Sequence, residues 1–276
     1  MKEKIKIWIQ AIRLYSFTTT FLPMLIGFAC LPHADWLLAA LIMACVFIAH
    51  AGINMINDYY DYIYGVDLEH TRGSSRMLVN KQLTPPAMLN ASLGCFLASA
   101  LLGVGIVFYT QRYFLLVVGG VALLIGYFYS ATRLQLKRYG LGDIGVLIST
   151  GPLITSGIVY AQTGAWPIFP AIVGLLPGLL AVDVLHTNNL RDVESDKKAG
   201  LWNAAHIKGF GIAYWWCLLG AAYLIQFWMI WQGHLPSYTL VTLLLLTFLH
   251  PRISIERMAL GHLLFNSVVA LALFLR

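Results

Sequence analysis

Long apolar runs alternate with short polar segments along the whole chain of 276 residues. Within a run, the apolar residues are continuous and do not alternate with polar ones, so the pattern predicts helices and not strands. Because about 20 residues of helix cross the hydrocarbon core of a bilayer, these runs predict transmembrane helices. We predict nine spans, at residues 15–31, 36–60, 86–109, 113–130, 142–162, 167–190, 210–232, 236–250 and 258–275.

The composition agrees with a membrane protein. The chain is 59% hydrophobic and 11% charged, with a mean hydropathy of +0.74, whereas a soluble domain carries about 25% charged residues. We therefore predict one polytopic all-α membrane domain over residues 1–276, without an attached soluble domain. No small-residue cleavage site follows the basic N-terminal segment, so we expect a first membrane anchor and not a signal peptide. The dispersed cysteines and histidines predict neither a disulfide nor a zinc site.

Lys and Arg are distributed unequally between the two sets of loops. Sixteen of the 18 lie on the side of the N-terminus, and only Arg112 and Arg276 lie on the other side. Loops rich in Lys and Arg stay in the cytoplasm. We therefore predict an inner (cytoplasmic) membrane protein with its N-terminus in the cytoplasm and, after nine spans, its C-terminus outside. The net charge of +6 reflects this asymmetry and does not indicate nucleic-acid binding.

Acidic residues cluster at the predicted cytoplasmic ends of the second and sixth spans. The two clusters read Asn54-x3-Asp58-x2-Asp61 and Asn188-x3-Asp192-x3-Asp196. Steps of three and four residues place side chains on one helix face. Each helix end therefore offers an amide and two carboxylates on one side.

Carboxylates at a membrane helix end are costly when they are left unpaired. They could pair with nearby Lys and Arg, lie in solvated loops, or bind a divalent cation. Sites made only of oxygen ligands favour Mg²⁺, which is commonly bound through one or two carboxylates together with substrate phosphates. The matching spacing of two clusters on the same side of the membrane favours the metal hypothesis.

Two Mg²⁺ ions held by these clusters would suit a substrate that is half diphosphate and half hydrocarbon. The ions neutralise charge that develops on a leaving diphosphate, while an organic tail lies between apolar helices. These properties predict a polyprenyl diphosphate, which leaves an allylic carbocation. The tyrosines at 59, 60, 62 and 64 lie among the acids. They are candidates either for stabilising a cation or for the aromatic belt at the membrane surface.

Three segments of the sequence match a known family. They are Asn54-x3-Asp58-x2-Asp61, YSATRLQLKRYGLGD at 129–143 and NNLRDVESDKKAG at 188–200. In that order among nine spans, they resemble the UbiA superfamily of intramembrane prenyltransferases. The resemblance implies nine transmembrane helices around a central cavity with cytoplasmic cap loops. It also implies a Mg²⁺-dependent enzyme that joins a prenyl group to an aromatic acceptor.

Finer features are similar to the 1,4-dihydroxy-2-naphthoate polyprenyltransferases of menaquinone synthesis. These features are NDYYDYIYGVD, the GSSR loop at 73–76 and the NNxRD form of the second motif. The resemblance implies that Mg²⁺–diphosphate is bound by Asp58, Asp61, Asp192 and Asp196, assisted by Asn54 and by Asn188 or Asn189. It implies that Arg13, Arg76 and Lys137 hold the phosphate oxygens. Further candidates for substrate binding are Asn57 and one of the nearby cations Arg191 or Lys197. Tyr129 is expected to line the cavity near the acceptor.

Two features depart from this subfamily. Asp183 lies about two and a half helical turns before Asp192, and His186 is also unexpected. We predict that Asp183 either orients the acceptor or takes a proton, unless it is a hydrogen-bonded packing residue. In addition, LWNAAHIKGFG after Gly200 lacks the Lys- and Thr-rich run of naphthoate enzymes.

The departures leave other functions open. One alternative is transfer to 4-hydroxybenzoate, homogentisate, a chlorin, a haem or a lipid alcohol, and another is a membrane terpene cyclase with the same metal site. A transporter is the non-enzyme alternative. Transporters place ionisable residues near the midplane of the membrane, whereas most acids here gather at one face.

Overall fold

Helices form the ordered structure of the protein in the computed structural model, which describes residues 2–67, 74–132, 135–247 and 255–276. The ten α-helices of these residues are α1 (Lys2–Ala11), α2 (Thr18–Ala29), α3 (Trp36–Ile63), α4 (Pro85–Thr110), α5 (Phe114–Ser130), α6 (Gly142–Ser149), α7 (Pro152–Thr163), α8 (Ile168–Lys198), α9 (Gly211–Trp231) and α10 (Ile255–Phe274). Shorter 3-10 segments cover Leu14–Phe17, Leu136–Arg138, Ala204–His206 and Ser237–Thr247. The described residues contain no strand, which confirms the all-α class. Glu69, Arg72, Arg133 and Arg252 lie outside the described residues.

Each predicted span coincides with helical structure, but the number nine is not confirmed. Among the described residues, six helices are long and apolar enough to cross a membrane. A seventh is added if Lys2–Ala11 and Leu14–Ala29 together form one broken span. The fourth predicted span is the shorter apolar helix α5. The eighth is described as the 3-10 segment Ser237–Thr247, and residues 248–250 of that predicted span lie outside the described residues.

Local sequence explains several helix boundaries. The side chain of Thr84 caps α4 by accepting a hydrogen bond from the backbone N–H of Ala87 at 3.4 Å, and prolines fill the first helical positions. The helix ends at Gln111 in the left-handed conformation. Gly151 separates α6 from α7, which begins with Pro152. Hydropathy alone could not reveal this last break, because α6 and α7 together satisfy the criteria for one span.

The chain divides into two compact units, and the first contains Met1–Phe17, Trp36–Gly145 and Asp192–Asn203. In this unit, α3 packs against α4 and α5. The Ser92 hydroxyl donates to the carbonyl of Gly52 at 2.9 Å, which fixes α4 on α3. At Gly126 of α5, an added Cβ would lie 2.4 Å from the Cδ1 atom of Ile53, so the glycine permits close packing of α5 on α3.

The second unit contains Thr18–Asp35, Val146–Arg191 and Ala204–Arg276. Its buried core includes Trp215, Phe265, Leu176 and Leu180. Within the unit, α2 packs against α7 and α10. The Thr155 hydroxyl on α7 donates to the carbonyl of Pro170 on α8 at 2.7 Å, so these two helices are joined by a buried hydrogen bond.

Candidate active site

Asp58, in the last turns of α3, contacts one cation and one backbone hydrogen-bond donor. The Asp58 side chain is buried, and its Oδ1 lies 3.5 Å from the Nη1 of Arg13. The backbone N–H of Ser75, in the segment that follows α3, donates to Asp58 Oδ2 at 2.9 Å. No described residue forms a hydrogen bond with Oδ1. The carboxylate therefore retains an oxygen that could accept another partner.

Asp61, one turn further along α3, is held by a lysine and an amide. Lys137 donates to Asp61 Oδ1 and to the Asn57 side-chain oxygen, the latter at 3.2 Å. The Asn57 amide donates to Asp61 Oδ2 at 3.1 Å, and the Ser130 hydroxyl donates to the Asn57 oxygen. Asn57 thus orients both the acid and the base, using its amide nitrogen as a donor and its oxygen as an acceptor.

Glycine at 142 brings the lysine to its position. Lys137 lies in the 3-10 segment between α5 and α6. A Cβ added at Gly142 would lie 3.2 Å from the Lys137 Cα atom and 3.2 Å from a ring carbon of Tyr129. The lysine Nζ then lies 6.0 Å from the centroid of the Tyr129 ring. A larger residue at 142 would separate the lysine segment from α6.

The second acidic pair, Asp192 and Asp196, lies in the same unit as the first. The backbone beyond α8 folds back at this point, since the N–H of Leu201 donates to the Asp196 carbonyl at 2.9 Å. The N–H of Trp202 then donates to the carbonyl of Arg138 at 3.3 Å. The segment after α8 is therefore joined to the segment that carries Lys137.

Tyr129 is influenced by charged residues from several segments of the first unit. Its hydroxyl interacts electrostatically with Asp143, Asp61, Arg13 and Asp196. Acids from both sequence clusters therefore act on one partly buried phenol. The unit brings together Arg13, Asn54, Asn57, Asp58, Asp61, Arg76, Tyr129, Lys137, Asp192 and Asp196, all of which were candidate site residues.

The remaining candidates lie in the second unit. The Asn188 amide donates back to the Val184 carbonyl of its own helix at 3.2 Å, so its nitrogen is occupied. Asn189 is partly buried and Arg191 is exposed. Their predicted roles towards diphosphate stay predictions.

Asp183 has a histidine partner that the sequence did not indicate. Both side chains are buried, and His262 Nε2 of α10 lies 3.2 Å from Asp183 Oδ2. His186, the other unexpected residue, places its Nε2 2.7 Å from the carbonyl of Gly211. Asp183 Oδ1, His186 Nδ1 and Asn266 Oδ1 have no hydrogen-bond partner among the described residues. A buried polar group thus joins α8 and α10, and the role of Asp183 towards an acceptor stays a prediction.

Residues 17–258 match the model of the UbiA prenyltransferase family. The chain belongs to the UbiA prenyltransferase family. It is therefore an enzyme of the prenyltransferase class with several apolar helices of a multi-pass membrane protein, and the resemblance recognised from the motifs is confirmed.

Relatives in the UbiA family include proteins from animals and bacteria. UbiA prenyltransferase domain-containing protein 1 of Mus musculus is 30% identical over 235 residues, which are 81% of this chain and 68% of the relative. The Homo sapiens protein is 29% identical, and the aligned region covers 77% of this chain and 64% of the relative. The 1,4-dihydroxy-2-naphthoate octaprenyltransferase of Bacillus subtilis is 27% identical, with 75% and 71% coverage. This chain spans only about two thirds of the animal proteins.

Solved UbiA structures share the fold. A UbiA homolog from Archaeoglobus fulgidus, bound to GPP and Mg²⁺, aligns with a TM-score of 0.71 over 98% of this chain and all of its own, at 17% identity. A digeranylgeranylglyceryl phosphate synthase aligns with a TM-score of 0.66 at 18% identity. At such low identity, these likenesses establish the architecture alone.

Asp67 was not among the predicted site residues, yet its backbone N–H donates to the carbonyl of Asp61 at 3.1 Å. It is buried beyond the end of α3. Burial raises its pKa to about 7, and the charges of Asp61 and Asp58 contribute in the same direction, while a hydrogen bond with Ser74 and the charge of Lys137 oppose it. Asp67 is visible in the sequence within the stretch NDYYDYIYGVD. Its spacing from Asp61 fits no step of three or four residues along one helix face, so only the structure shows that it lies near the other acids.

The tyrosines among the acids pack mainly with each other. Tyr60 stacks on Tyr64 with ring centroids 5.6 Å apart, and Tyr59 meets Tyr60 edge-on at 5.1 Å. The Tyr62 and Tyr64 side chains are exposed. This arrangement agrees with the belt interpretation for Tyr62 and Tyr64.

The donor set fits Mg²⁺ that arrives with a diphosphate better than Mg²⁺ alone. Among the described residues, no three Asp, Glu, His or Cys side chains are close enough to hold one ion. Mg²⁺ commonly takes only one or two carboxylates and completes its shell with waters and phosphate oxygens. Asp58, whose Oδ1 forms no hydrogen bond with the described residues, and the neighbouring Asp61 supply such carboxylates. The residues present therefore fit a metal shared with the substrate.

Proposed function

We propose that this protein transfers a polyprenyl group from a polyprenyl diphosphate to an aromatic acceptor in a Mg²⁺-dependent reaction, and that the acceptor is 1,4-dihydroxy-2-naphthoate. The observation that carries the proposal is the pairing of two buried carboxylates with two cations in the first unit, Asp58 with Arg13 and Asp61 with Lys137. Membership of the UbiA family supports the reaction class. The Bacillus subtilis relative, by its name, supports the acceptor.

In this proposal, the diphosphate binds where positive and negative side chains alternate. Asp58, Asp61, Asp192 and Asp196 would hold Mg²⁺ through carboxylate oxygens. Arg13 and Lys137 would donate to phosphate oxygens, and Arg76 lies in the segment whose Ser75 already contacts Asp58. Arg recognises phosphate with a planar set of donors, whereas Lys acts as a point charge.

The reaction begins with heterolysis of the bond between the prenyl C1 atom and the diphosphate oxygen. The electron pair leaves with the diphosphate, and the allylic group becomes a carbocation. Mg²⁺ supplies positive charge that offsets the charge developing on the leaving group. Arg13 and Lys137 hold the departing oxygens, and the ring face of Tyr129 stabilises positive charge, as it already does for Lys137.

Alkylation then restores a neutral product. The electron-rich acceptor ring attacks the allylic carbon, and a new carbon–carbon bond forms. With a naphthoate acceptor, the ring carbon that carries the carboxylate is attacked, and carbon dioxide leaves with the ring regaining its aromatic electrons. With 4-hydroxybenzoate, a proton leaves the ring instead and the carboxylate is retained.

We further propose that the site faces the cytoplasm and that the N-terminus lies on the same side. The carboxylates lie at the ends of α3 and α8 that adjoin Lys- and Arg-rich segments. Such segments stay in the cytoplasm. A charged diphosphate would then bind at the membrane surface, while its polyprenyl tail remains among apolar helices.

The deciding experiment offers purified protein two acceptors in parallel. The protein would receive Mg²⁺, a long allylic diphosphate and either 1,4-dihydroxy-2-naphthoate or 4-hydroxybenzoate, with products identified by mass. We expect a prenylated and decarboxylated naphthoate, and none when EDTA is present. Asp58→Asn and Asp61→Asn should reduce turnover about a thousandfold, because each removes several kcal/mol of transition-state stabilisation.

Other outcomes would change specific parts of the proposal. Exclusive prenylation of 4-hydroxybenzoate would replace the acceptor and keep the metal site. Diphosphate release with neither acceptor modified would point to a different acceptor or to a cyclase. Full turnover in either Asp variant would refute the assignment of the metal ligands.

A further inference from the structure

The side chain of Asn54 is engaged with the segment that carries Arg13. Its Nδ2 donates to the carbonyl of Ile12 at 2.8 Å and to the Ser16 hydroxyl at 2.9 Å. Both protons of the amide are therefore used. This asparagine was predicted from the motif as a helper of Mg²⁺, yet its contacts in the free protein are with the backbone around Arg13.

Ser16 connects the same groups. Its hydroxyl donates to the carbonyl of Arg13 at 2.8 Å and lies 3.2 Å from His50 Nε2. A serine hydroxyl has one proton and two acceptor lone pairs. Because the proton is used by the Arg13 carbonyl, Asn54 and His50 must both donate to Ser16. The imidazole is thus assigned as a donor at Nε2.

The segment that these groups hold has an unusual backbone. Arg13 lies between α1 and the 3-10 segment Leu14–Phe17, with a φ of 54°. A left-handed conformation costs a residue other than glycine about 1–2 kcal/mol, and it persists where the surroundings enforce it. Asn54 and His50 contact residues on both sides of Arg13, so α3 supplies that enforcement.

These contacts set the direction in which the Arg13 guanidinium points. Arg13 Nη1 lies 3.5 Å from Asp58 Oδ1, one helical turn beyond Asn54 on α3. Tyr15 accepts from Arg13 Nε at 3.1 Å and fixes the side chain further. The ring of Phe17 stacks on that of His50, with centroids 4.8 Å apart, which limits rotation of the imidazole. Through Ser16, this network is joined to the backbone of Arg13, the residue that faces the carboxylate.

We propose that Asn54, His50 and Ser16 are positioning residues that hold Arg13 in place for the diphosphate, and that Asn54 acts through Arg13 and not as a ligand of Mg²⁺. The inference rests on the proposed function, since it assigns Arg13 to the diphosphate. It separates the amide of the motif from its two carboxylates. It also gives a role to His50, for which the sequence predicted none.

The substitution Asn54→Asp distinguishes the two roles. It keeps a side-chain oxygen and adds a charge, so a metal ligand would retain or gain affinity for Mg²⁺. It removes both donors and turns a carboxylate towards the Ile12 carbonyl, so a positioning residue would fail. The probe is a thiolo analogue of geranyl diphosphate, with binding measured by calorimetry over a series of Mg²⁺ concentrations.

We expect Asn54→Asp to weaken analogue binding about ten- to hundredfold, the range for a lost charge-assisted hydrogen bond. The Mg²⁺ concentration for half-maximal binding should change less than about twofold. Ser16→Ala and His50→Phe should weaken binding in the same direction, the latter because it keeps the ring stack but loses the donor. In an Arg13→Gln background, Asn54→Asp should cause no further loss, since residues that act through one another are not additive.

Ser92→Ala is the matched control. It also removes a hydroxyl bonded to α3, at the carbonyl of Gly52, and should leave analogue binding unchanged. The proposal is overturned if Asn54→Asp binds the analogue normally, or if its loss adds to that of Arg13→Gln and shifts the Mg²⁺ requirement as Asp58→Asn does.

Hydrogen exchange of the free protein tests the network without any substrate. Amides 12–17 should exchange faster in Asn54→Asp, Ser16→Ala and His50→Phe than in the wild type and in Ser92→Ala. If the wild type does not bind the analogue but this pattern is found, the proposed function fails and the positioning of Arg13 stands. Unchanged exchange in all three variants would refute the network itself.

Discussion

Single residues in the first unit show how buried acids are compensated before any substrate arrives. Arg13 faces Asp58, and Lys137 faces Asp61. Removing one partner of such a pair leaves an uncompensated charge, which is strongly unfavourable in a buried position. In the proposed complex with Mg²⁺ and diphosphate, each carboxylate would gain a metal and each base would gain a phosphate. The exchange keeps every charge paired, which explains how the free and bound states can both be stable.

The raised pKa of Asp67 predicts that the stability of the folded protein depends on pH. Its pKa of about 7 in the folded protein exceeds the value of about 4 for an unfolded Asp. The folded state therefore binds the proton more tightly, and the contribution of Asp67 to stability falls as pH rises from about 4 to about 7. In EDTA, Asp67→Asn should unfold at the same temperature as the wild type below about pH 4 and at a higher temperature above about pH 7.

Thermal unfolding in detergent over this pH range checks the Asp67 prediction. Asp35→Asn is the control, because Asp35 is exposed and outside the acidic group. A constant difference between Asp67→Asn and the wild type at all pH values would contradict the assignment of the raised pKa.

Asp183 and His262 allow structural and functional roles to be separated. His262→Leu should destabilise the protein by about 3–5 kcal/mol, because it leaves a buried carboxylate without its partner. The double variant Asp183→Leu with His262→Leu should recover much of this loss, since an apolar pair of similar size needs no compensation. Unfolding temperatures of the three proteins give the test, and a double variant less stable than His262→Leu would contradict it.

Activity of the double variant then decides the role of Asp183. A stable protein with an unchanged KM for the acceptor would show that the pair serves packing alone. A stable protein whose KM for the acceptor rises at constant affinity for diphosphate would support the predicted orienting role.

The sequence could predict the acids of the site but not their partners. Asp58 and Asp61 were found because their spacing repeats the steps of a helix. His262 lies 79 residues from Asp183, and no local pattern connects residues at that separation. Ser16 and His50 are similarly distant along the chain. Their roles depend on how α3 packs beside the break at Arg13, which hydropathy does not encode.

At the level of helices, apolar runs predicted positions well because a membrane helix must satisfy its backbone hydrogen bonds within itself. Breaks within a run were not predicted. The run 142–162 contains the interruption at Gly151, and the run 236–250 begins as a 3-10 segment. Whether a glycine or proline interrupts a membrane helix depends on tertiary packing, because the same residues also occur inside continuous membrane helices. The sequence alone therefore does not locate the breaks.

The close approach at Gly151 gives a prediction for these elements. A Cβ added there would lie 2.5 Å from the carbonyl oxygen of Gly174 and 2.8 Å from that of Leu147. Both contacts are with backbone atoms, which cannot rotate away. Gly151→Ala should lower the unfolding temperature by about 3–9 °C, as expected for overpacking.

Gly220→Ala provides the comparison for Gly151→Ala. Gly220 lies within α9, and an added Cβ would meet no atom within 4 Å. Alanine there should be neutral or slightly stabilising, because it favours the helix. Equal effects of the two substitutions on the unfolding temperature would show that the packing at Gly151 is not tight.

At the scale of the whole molecule, the sequence predicts the orientation of the protein in the membrane. The unequal distribution of Lys and Arg predicts the cytoplasm at the start of α4 and the outside at its end. Lys81 and Gln111 are both exposed and lie just before and just after α4. Cysteine at either position is therefore available to a reagent on the corresponding side of the membrane.

The test uses a variant in which the four native cysteines are replaced by alanine. In intact spheroplasts, a membrane-impermeant maleimide should label Gln111→Cys but not Lys81→Cys. After permeabilisation it should label both to the same extent, which controls for reactivity. Labelling of Lys81→Cys alone in intact spheroplasts would show that the orientation is the opposite of the predicted one. The carboxylates at the end of α3 would then face away from the cytoplasm, and a cytoplasmic diphosphate could not reach them from that side.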